Sequence, residues 1–449
     1  MAQFTAREQL MLELINRARM DPAAEAARYG IDINEGASPA INSTPKQVLA
    51  GSDELGKAAD KHSKWMTFNG MSHSEGANTA YFYGAQPDDR IERAGYTNWR
   101  IWGENIAYRS GSSLDATQTI YDLHQALFVD SGVFGRGHRV NLMNGEFSEI
   151  GIGNKTGTGA FGMKSSYITQ DFADAQGSVR FITGVVYDDT VTRDDFFTVG
   201  EQTAARAVSV ANSTNTDVTG AGGGYELAFA RGGSKTLTFD LAGDDLTVKV
   251  DLAGSNVKVD AVNGREIWTN GSLTSLSDAI KELHALGIED VNLKGSGASE
   301  KIYGNSGDNS VAGGGGNDSI LGSSGEDTLT GGSGNDTIFG GNGRDTQTGG
   351  SGDDQFDFRK ASHSPVSAPD TIKDFDASGD DTINLKDVFV GTLFYRGEAP
   401  IADAGEVHVS ASGNDVVVSI NIDPDLAPEM VILLKNTNLA AMSAEDFIL

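Results

Sequence analysis

A nine-residue repeat runs without a gap from Gly304 to Asp357. Its units read GNSGDNSVA, GGGGNDSIL, GSSGEDTLT, GGSGNDTIF, GGNGRDTQT and GGSGDDQFD. The eighth residue is apolar in every unit except the one with Gln347, so each unit supplies one inward side chain from a very short strand. The glycine-rich remainder predicts a tight turn with positive φ. Two units then complete one coil, and stacked coils predict a parallel β-roll.

The sixth residue of each unit is acidic or an amide, which places one polar side chain at each turn of the roll. These residues are Asn309, Asp318, Asp327, Asp336, Asp345 and Asp354. Stacked carboxylates repel one another unless a hard cation lies between them, and calcium accepts carboxylate and carbonyl oxygens at flexible geometry. A flexible Gly/Ser linker would need neither a fixed phase nor an apolar residue in each unit. We therefore predict several structural calcium ions.

The repeat and the segment after it resemble the RTX family of secreted proteins, specifically the C-terminal module of serralysin metalloproteases. The resemblance implies a calcium-binding roll over residues 295–357 and a post-roll part over 358–449. It also implies three further calcium ligands that cap the roll, Asp370, Asp374 and Asp380. The family is exported by type I secretion machinery through an uncleaved C-terminal signal, which SAEDFIL resembles. We therefore expect an extracellular protein whose roll is folded by calcium outside the cell.

Charge and composition exclude several other functions. The net charge is −29, and about two thirds of the acidic side chains lie after residue 180. A field of this sign repels nucleic acid and anionic membrane surfaces. The chain has no cysteine, which excludes disulfides and thiolate zinc sites. Because no apolar run reaches the roughly 18 residues that span a bilayer, we expect no transmembrane segment.

The middle of the chain alternates apolar and polar residues, which predicts a β-sandwich over residues 179–275. It resembles the calcium-binding immunoglobulin-like repeats of bacterial surface proteins. That resemblance implies calcium ligands at Asp188, Asp189, Asp194 and Glu201. A solvated acidic hairpin is the alternative. Residues 276–294 carry apolar residues at helical spacing, and we predict an amphipathic linking helix there.

The first 178 residues begin with a helical pattern and then carry the signatures GMSHSEG, WGENIAY and GHRVNLM. In this order they resemble the CAP superfamily of cysteine-rich secretory, antigen 5 and pathogenesis-related 1 proteins. The resemblance implies an α-β-α sandwich with a surface cleft over residues 1–178. The whole chain is then a multidomain α+β protein, with an N-terminal sandwich, a middle β-sandwich and a C-terminal parallel β-roll.

The cleft of the CAP superfamily gathers two histidines and two acids, and His73, Glu104 and His138 match three of them. Two imidazoles and a carboxylate with an open position form a ligand set that zinc prefers. The candidates for the fourth group are Asp122, His124, Asp130 and Ser131. A structural network of buried hydrogen bonds is the alternative for the cleft. For His62, on a predicted helix, we favour a structural role.

Two functions follow from these features. The first is an extracellular calcium-binding protein whose CAP domain binds a lipid, a glycan or a cell-surface partner. In a variant of this function, the CAP domain is only a scaffold and the calcium-binding module gives adhesion. The second is a zinc-dependent hydrolase or protease that uses the CAP cleft. The chain has neither the H-E-x-x-H nor the G-x-S-x-G motif. The sequence therefore favours the binding protein and leaves catalysis open.

Overall fold

The computed structural model describes residues 4–158, 163–175 and 179–449. Contacts divide the chain into two compact units. The first comprises residues 1–246 and 251–264, and the second comprises residues 247–250 and 265–449. No helix in these described ranges is long and apolar enough to cross a membrane.

The N-terminal domain consists of helices packed against one four-stranded sheet of order β1-β3-β4-β2. Its helices are α1 (Ala6–Met20), α2 (Pro22–Arg28), α3 (Asp53–Asn69), α4 (Pro87–Ala94), α5 (Ala116–Val129) and α6 (Gly137–Leu142). Its strands are β1 (Ala50–Gly51), β2 (Trp99–Gly111), β3 (Glu149–Thr158) and β4 (Lys164–Ala175). Strands β2, β3 and β4 pair antiparallel, and β1 joins β3 in parallel. The predicted N-terminal α/β fold is confirmed.

The glycines of the EIGIG segment in β3 allow α3 to approach the sheet closely. A Cβ atom on Gly151 would lie 1.9 Å from the carbonyl carbon of Leu55, and one on Gly153 would lie 2.3 Å from that of Ala59. Any side chain at these positions would push α3 away. This close packing fixes the start of the loop after α3, which carries His73.

The middle segment forms strands that belong to the same compact unit as the N-terminal domain. They are β5 (Arg180–Tyr187), β6 (Ala207–Val210), β7 (Thr216–Val218), β8 (Gly224–Phe229), β9 (Gly233–Phe239) and β11 (Val257–Val262). Strand β5 pairs antiparallel with β8 and parallel with β11, and β6 pairs antiparallel with β7 and β9. Strand β10 (Leu246–Leu252) lies at the border of the two units.

The grouping of the middle segment differs from the predicted separate domain over residues 179–275. Buried polar groups explain the difference, because they tie β11 to the N-terminal domain. Asn256 Nδ2 donates to the carbonyl oxygens of Val48 at 2.9 Å and Ser148 at 2.8 Å. The Lys258 ammonium lies 2.8 Å from the Glu13 carboxylate. In the sequence these residues look like the solvent-facing positions of a strand.

The second unit contains the roll. Its strands before the nine-residue repeat are β12 (Glu266–Thr269), β13 (Leu273–Ser275), β14 (Glu282–Ala285), β15 (Asn292–Lys294) and β16 (Lys301–Tyr303). Within the repeat they are β17 (Ser310–Gly315), β18 (Ser319–Ser324), β19 (Thr328–Ser333), β20 (Thr337–Asn342), β21 (Thr346–Ser351) and β22 (Gln355–Asp357). After it come β23 (Asp370–Ile372), β24 (Thr382–Asn384), β25 (Phe394–Gly397), β26 (Glu406–Ser412), β27 (Asp415–Asn421), β28 (Met430–Leu434) and β29 (Phe447–Ile448).

Alternate strands of the roll form two parallel ladders. One follows β13-β15-β17-β19-β21-β23, and the other follows β12-β14-β16-β18-β20-β22-β24. The apolar eighth residues form the core between them, because Val311, Ile320, Leu329, Ile338 and Phe356 are all buried. The predicted parallel β-roll is confirmed.

The predicted linking helix over residues 276–294 is wrong, and the roll begins before residue 295. This segment forms β14 and β15, in which Leu283 pairs with Ile302 and Leu293 pairs with Val311. The apolar spacing that suggested a helix therefore places the same side chains in the roll core. The parallel pairing offered by the next coil outweighs the local helical pattern.

The contact between β11 and the N-terminal domain can be tested with Asn256→Ala. The substitution leaves two buried carbonyl groups without their donor, so we expect the free energy of unfolding to fall by about 1–3 kcal/mol. Urea unfolding of the full-length protein would measure the change. Ser255→Ala, at the exposed neighbouring position, is the matched control. Equal stability of the two variants would contradict this account.

Candidate functional sites

Aspartates at the turns of the roll join each coil to the next by hydrogen bonds between residues 18 apart. The Oδ1 atom of Asp336 accepts the backbone N–H of Asp318 at 2.8 Å. The same bond is made by Asp318, Asp327, Asp345 and Asp354, with the N–H groups of Glu300, Asn309, Asp327 and Asp336 as donors. We call the set from Asp318 to Asp354 the aspartate ladder. It orders the turns on both edges of the roll.

The second carboxylate oxygen of the aspartate ladder has a different environment. The Oδ2 atoms of Asp318, Asp327, Asp336 and Asp345 are buried and have no hydrogen-bond partner among the described residues. Each lies beside the glycine that begins the same nine-residue unit. A Cβ atom on Gly331 would lie 2.2 Å from Asp336 Oδ2 and 2.6 Å from the carbonyl oxygen of Gly349. The glycines therefore keep open a space in which a carboxylate oxygen faces a backbone carbonyl.

The ends of the aspartate ladder are built from other residues. At its beginning, Asn309 Oδ1 accepts the N–H of Asn305 at 2.8 Å and is therefore already satisfied. Beyond its end, Asp370 Oδ1 accepts the N–H of Asp345 at 2.9 Å. Asp374 accepts the N–H groups of Gly349 and Gly350, each at 2.9 Å.

The predicted position of Asp380 is displaced by one residue. Asp381, not Asp380, accepts the N–H of Asp354 at 2.9 Å, and it also accepts the N–H of Asp376. Asp381 is buried, whereas Asp380 is exposed. The sequence carries a signal for this choice, because Asp381 directly precedes Thr382 and Ile383, as Asp336 precedes Thr337 and Ile338 in the repeat.

Glu300 is a member of the series that the sequence analysis missed. Its N–H donates to Asp318, and its Oε2 atom is buried without a hydrogen-bond partner in the described ranges. The signal was present, because GSGASEKIY (295–303) is a seventh unit in phase with the repeat, with glutamate at the sixth position and Ile302 at the eighth.

The acids predicted for the middle segment lie in one turn region, where they bind backbone groups. Glu201 accepts the N–H groups of Val191 at 2.9 Å and Thr198 at 2.7 Å. Asp189 accepts the N–H of Asp195 at 3.1 Å. Asp194 accepts the Thr192 hydroxyl, and Asp188 accepts that of Thr203. In the described ranges, two groups of three metal-competent side chains have ligand atoms within 4.8 Å of one another. Neither group contains any of these four acids.

His73 and His138, the two histidines predicted for the cleft, each contact a buried carboxylate. His73 Nδ1 lies 2.6 Å from Glu104 Oε1, and His138 Nδ1 lies 2.7 Å from Asp130 Oδ1. The carboxylates are buried, whereas the side chains of His73 and His138 are 49% and 21% exposed. Each imidazole is therefore oriented through Nδ1, and its Nε2 atom is the one available to contact a ligand.

Asp130 takes the position of the second acid, which the sequence left open among four residues. It caps the end of α5 and also accepts the N–H of His138 at 2.9 Å. Asp122 instead lies 3.2 Å from Arg109. His124 is buried and contacts Glu25 at 2.9 Å, and Ser131 is exposed.

Glu104 connects His73 to a buried polar network. Its second oxygen accepts a hydrogen bond from Arg90 and lies 3.9 Å from Nε2 of the buried His62. Burial alone would raise the pKa of Glu104, but the hydrogen bond from His73 and the charge of Arg90 outweigh it and lower the pKa. Glu104 is therefore ionised. His62 is held by Glu75 at 2.9 Å, which fits the structural role predicted for it.

Asp171 faces Glu104 across the β2–β4 pair and was not predicted. Burial, together with the negative charge of Glu104, raises its pKa well above the ordinary value. Neither of its carboxylate oxygens has a hydrogen-bond partner within the described part of the chain. Only the antiparallel register brings these two acids together, so no local pattern in the sequence indicates Asp171.

The zinc site predicted for His73, Glu104 and His138 stays a prediction. In the described ranges, two groups of three metal-competent side chains have ligand atoms within 4.8 Å of one another, and neither includes these residues. Each histidine contacts its own carboxylate through Nδ1, Glu104 on β2 for His73 and Asp130 after α5 for His138, and this contact leaves Nε2 of both rings available to a ligand.

Two known families match different parts of the chain. The model of the cysteine-rich secretory protein family, CAP, matches residues 12–172. The model of the RTX calcium-binding nonapeptide repeat matches residues 294–329 and 321–356. The chain contains a CAP domain and RTX repeats. The predicted combination is confirmed, and the chain is an extracellular calcium-binding protein. No curated protein matches it.

Several solved structures are similar to parts of the chain. The AlgE6R2 subunit of a mannuronan C5-epimerase from Azotobacter vinelandii is 25% identical, covers 33% of this chain and 90% of its own, and gives a TM-score of 0.26. NaASP2, solved with Zn2+, is 19% identical over 38% of this chain and 80% of its own, with a TM-score of 0.25. An outer surface protein from Borrelia burgdorferi is 15% identical over 38% of this chain and 93% of its own, with a TM-score of 0.23.

The aspartate ladder of the RTX roll fits calcium. Its donor atoms are carboxylate and glycine carbonyl oxygens, which are the hard ligands that calcium prefers. The unpaired Oδ2 atoms are buried polar groups that a cation would satisfy. Asp318, Asp327, Asp336 and Asp345 would hold such ions together with the facing carbonyl groups. When bound, calcium supplies the positive charge that the roll itself lacks at these turns.

We expect the calcium-free RTX roll to lose stability as the pH rises. Burial raises the pKa of Asp318, Asp336, Asp345 and Asp354 to about 6. It raises the pKa of Asp327 to about 7 and that of Asp370 to about 8. Because these values exceed those of the unfolded chain, the folded roll binds more protons, and stability falls between about pH 4 and pH 8.

Denaturant unfolding of protein freed of calcium on a chelating resin would measure this dependence. The midpoint for the roll should decrease from pH 5 to pH 8, and saturating calcium at pH 8 should restore it. A midpoint that rises over the same range without calcium would contradict the assignment of these buried carboxyl groups.

Proposed function

We propose that this protein folds its RTX roll on calcium after type I secretion and uses its CAP domain to bind a ligand at the surface of a cell or particle. The observation that carries the first part is the row of buried, unpaired Oδ2 atoms in the aspartate ladder. A buried charge without a partner costs several kcal/mol in real proteins, as an order of magnitude. Calcium removes that cost in the folded roll.

The same charges explain why the roll would be unfolded before export. At low calcium the ionised acids repel one another and favour the extended chain. A cation that binds only the folded state then shifts the equilibrium by mass action once calcium is abundant. The absence of cysteine from the sequence also suits a chain that is exported unfolded.

Residue-resolved hydrogen exchange of the full-length protein tests calcium-driven folding. Exchange at the N–H of Asp318, which donates to Asp336, should be fast in chelator and slow in calcium, whereas helix α3 of the CAP domain should be protected in both. Asp336→Asn keeps the Oδ1 acceptor but removes the charge. We expect it to raise the calcium midpoint about tenfold, or ~1.4 kcal/mol.

Asp308→Asn is the matched control for this variant. Asp308 also accepts an N–H from the next coil, that of Glu326 at 2.7 Å, but it is exposed to solvent. It should leave the calcium midpoint unchanged. Equal shifts for the two variants, or a roll protected in chelator at pH 8, would reject calcium-driven folding.

Exposed apolar side chains near the two histidines support ligand binding by the CAP domain. Phe134, four residues before His138, is 99% exposed. Phe68 and Tyr81, which flank His73 in the sequence, are also exposed and pack against each other with ring centroids 4.5 Å apart. Lone exposed apolar residues are common, but several that are close in sequence to the two oriented imidazoles suit an apolar or amphipathic ligand. A lipid surface therefore fits better than a glycan.

Sedimentation with phosphatidylcholine vesicles at saturating calcium tests this ligand class. Phe134→Ser should weaken binding at least several-fold, because it removes the most exposed aromatic ring. Val390→Ser, at a fully exposed position of the second unit, is the control and should bind as the unmodified protein does. Vesicle binding that is absent, or unaffected by Phe134→Ser, would reject a lipid ligand at this surface.

A further inference from the structure

The first coils of the roll carry a second group of metal-competent side chains, on the face opposite the core. Strands β12 and β14 pair in parallel, with Glu266 beside Glu282 and Trp268 beside His284. The intervening Ile267 and Leu283 are fully buried in the roll core. Side chains alternate along a strand. Glu266, Glu282 and His284 therefore share the outer face of this sheet.

The three side chains converge on one point. One ligand atom from each of Glu266, Glu282 and His284 lies within 4.8 Å of the others. His284 Nε2 is 3.4 Å from Glu282 Oε2. Of the two such groups in the part of the chain that the structure describes, this is the one that contains an imidazole. The other consists of exposed or half-buried acids in a loop near β28.

Neighbouring side chains hold the imidazole in a fixed orientation. The ring of His284 is stacked between those of Trp268, at 4.2 Å and 14°, and Tyr303, at 4.4 Å and 19°. Trp268 Nε1 also donates to Glu266 at 3.4 Å, and Lys301 donates to Glu282 at 3.3 Å. Metal sites characteristically have such outer contacts, which orient the ligands before the ion binds.

We propose that Glu266, Glu282 and His284 bind a divalent transition-metal ion, with zinc as the expected occupant. One imidazole nitrogen and two carboxylates form a three-ligand set that leaves a coordination position open. The nitrogen ligand disfavours calcium, which prefers an all-oxygen shell.

The ion would join β12 to β14, the strands with which this ladder of the roll begins. It would therefore stabilise the first coil, where the repeat has not yet started and no aspartate of the ladder is present. This site is independent of the aspartate ladder in its ligand chemistry and independent of the CAP domain in its position on the chain.

The alternative is a purely structural cluster of ion pairs, because Lys301 and Arg265 lie near the two glutamates. The roll offers an internal comparison for that alternative. Glu406 and His408 on β26 have the same two-residue spacing and lie 3.1 Å apart. However, His408 Nδ1 is bound to the Ala399 carbonyl oxygen at 2.6 Å. Among the described residues, Glu406 and His408 do not belong to a group of three metal-competent side chains.

Isothermal titration of zinc into the full-length, calcium-saturated protein tests the proposal. His73→Ala and His138→Ala are both introduced as the parent background, so that the CAP domain cannot contribute a site. We expect one equivalent of zinc in this parent. His284→Gln and, separately, Glu266→Gln should each weaken binding at least tenfold, and His408→Gln should not. Cobalt in place of zinc should give a visible absorption band that His284→Gln abolishes.

Two results would overturn the proposal. One is a parent that takes up no zinc, and the other is zinc binding that is the same in His284→Gln, Glu266→Gln and the parent. Circular dichroism in calcium confirms that each variant is folded. Because calcium is saturating throughout, failure of this site leaves the calcium-driven folding untouched, and a roll that fails to fold in calcium would reject the proposed function instead.

Discussion

The roll depends on the different environments of the two carboxylate oxygens of each ladder aspartate. One oxygen accepts a backbone N–H from the residue 18 positions earlier, and the other is buried beside the first glycine of its own unit without a partner in the described chain. The first contact sets the stacking of the coils, and the second makes the stack unfavourable without a cation. Coil stacking and metal dependence therefore arise from the same carboxylate.

The periodic part of the chain was predictable because one physical constraint repeats. Each unit must place one apolar residue in a narrow core. The nine-residue spacing that begins with Val311 and Ile320 therefore predicts the position of every strand up to Phe356. Prediction failed where the same coil is built from less regular residues. Leu283 and Leu293 are spaced as in an amphipathic helix. Glu300 occupies the same position in its unit as the ladder aspartates but has a longer side chain. Pairing with the next coil, which the local pattern does not contain, decided the strands at Leu283 and Leu293, whereas Glu300 could have been found from the phase of the repeat.

The CAP domain shows the opposite balance. Short signatures correctly placed His73 and Glu104 together, because that family resemblance covers both motifs. They could not select Asp130 from its neighbours, since that choice depends on how the chain leaves α5. Nor could they reveal Asp171, which meets Glu104 only through strand register.

The 18-residue contact also limits how such a chain can change in length. Removing a single nine-residue unit would transfer every later strand to the other ladder, so β23 and β28 would leave the ladder of β13 and β15 and join that of β12 and β14. Removing two units would keep both ends on their own sheets and preserve each aspartate bond. Natural variation in this roll should therefore occur in whole coils, while half coils are eliminated by the fixed segments at its two ends.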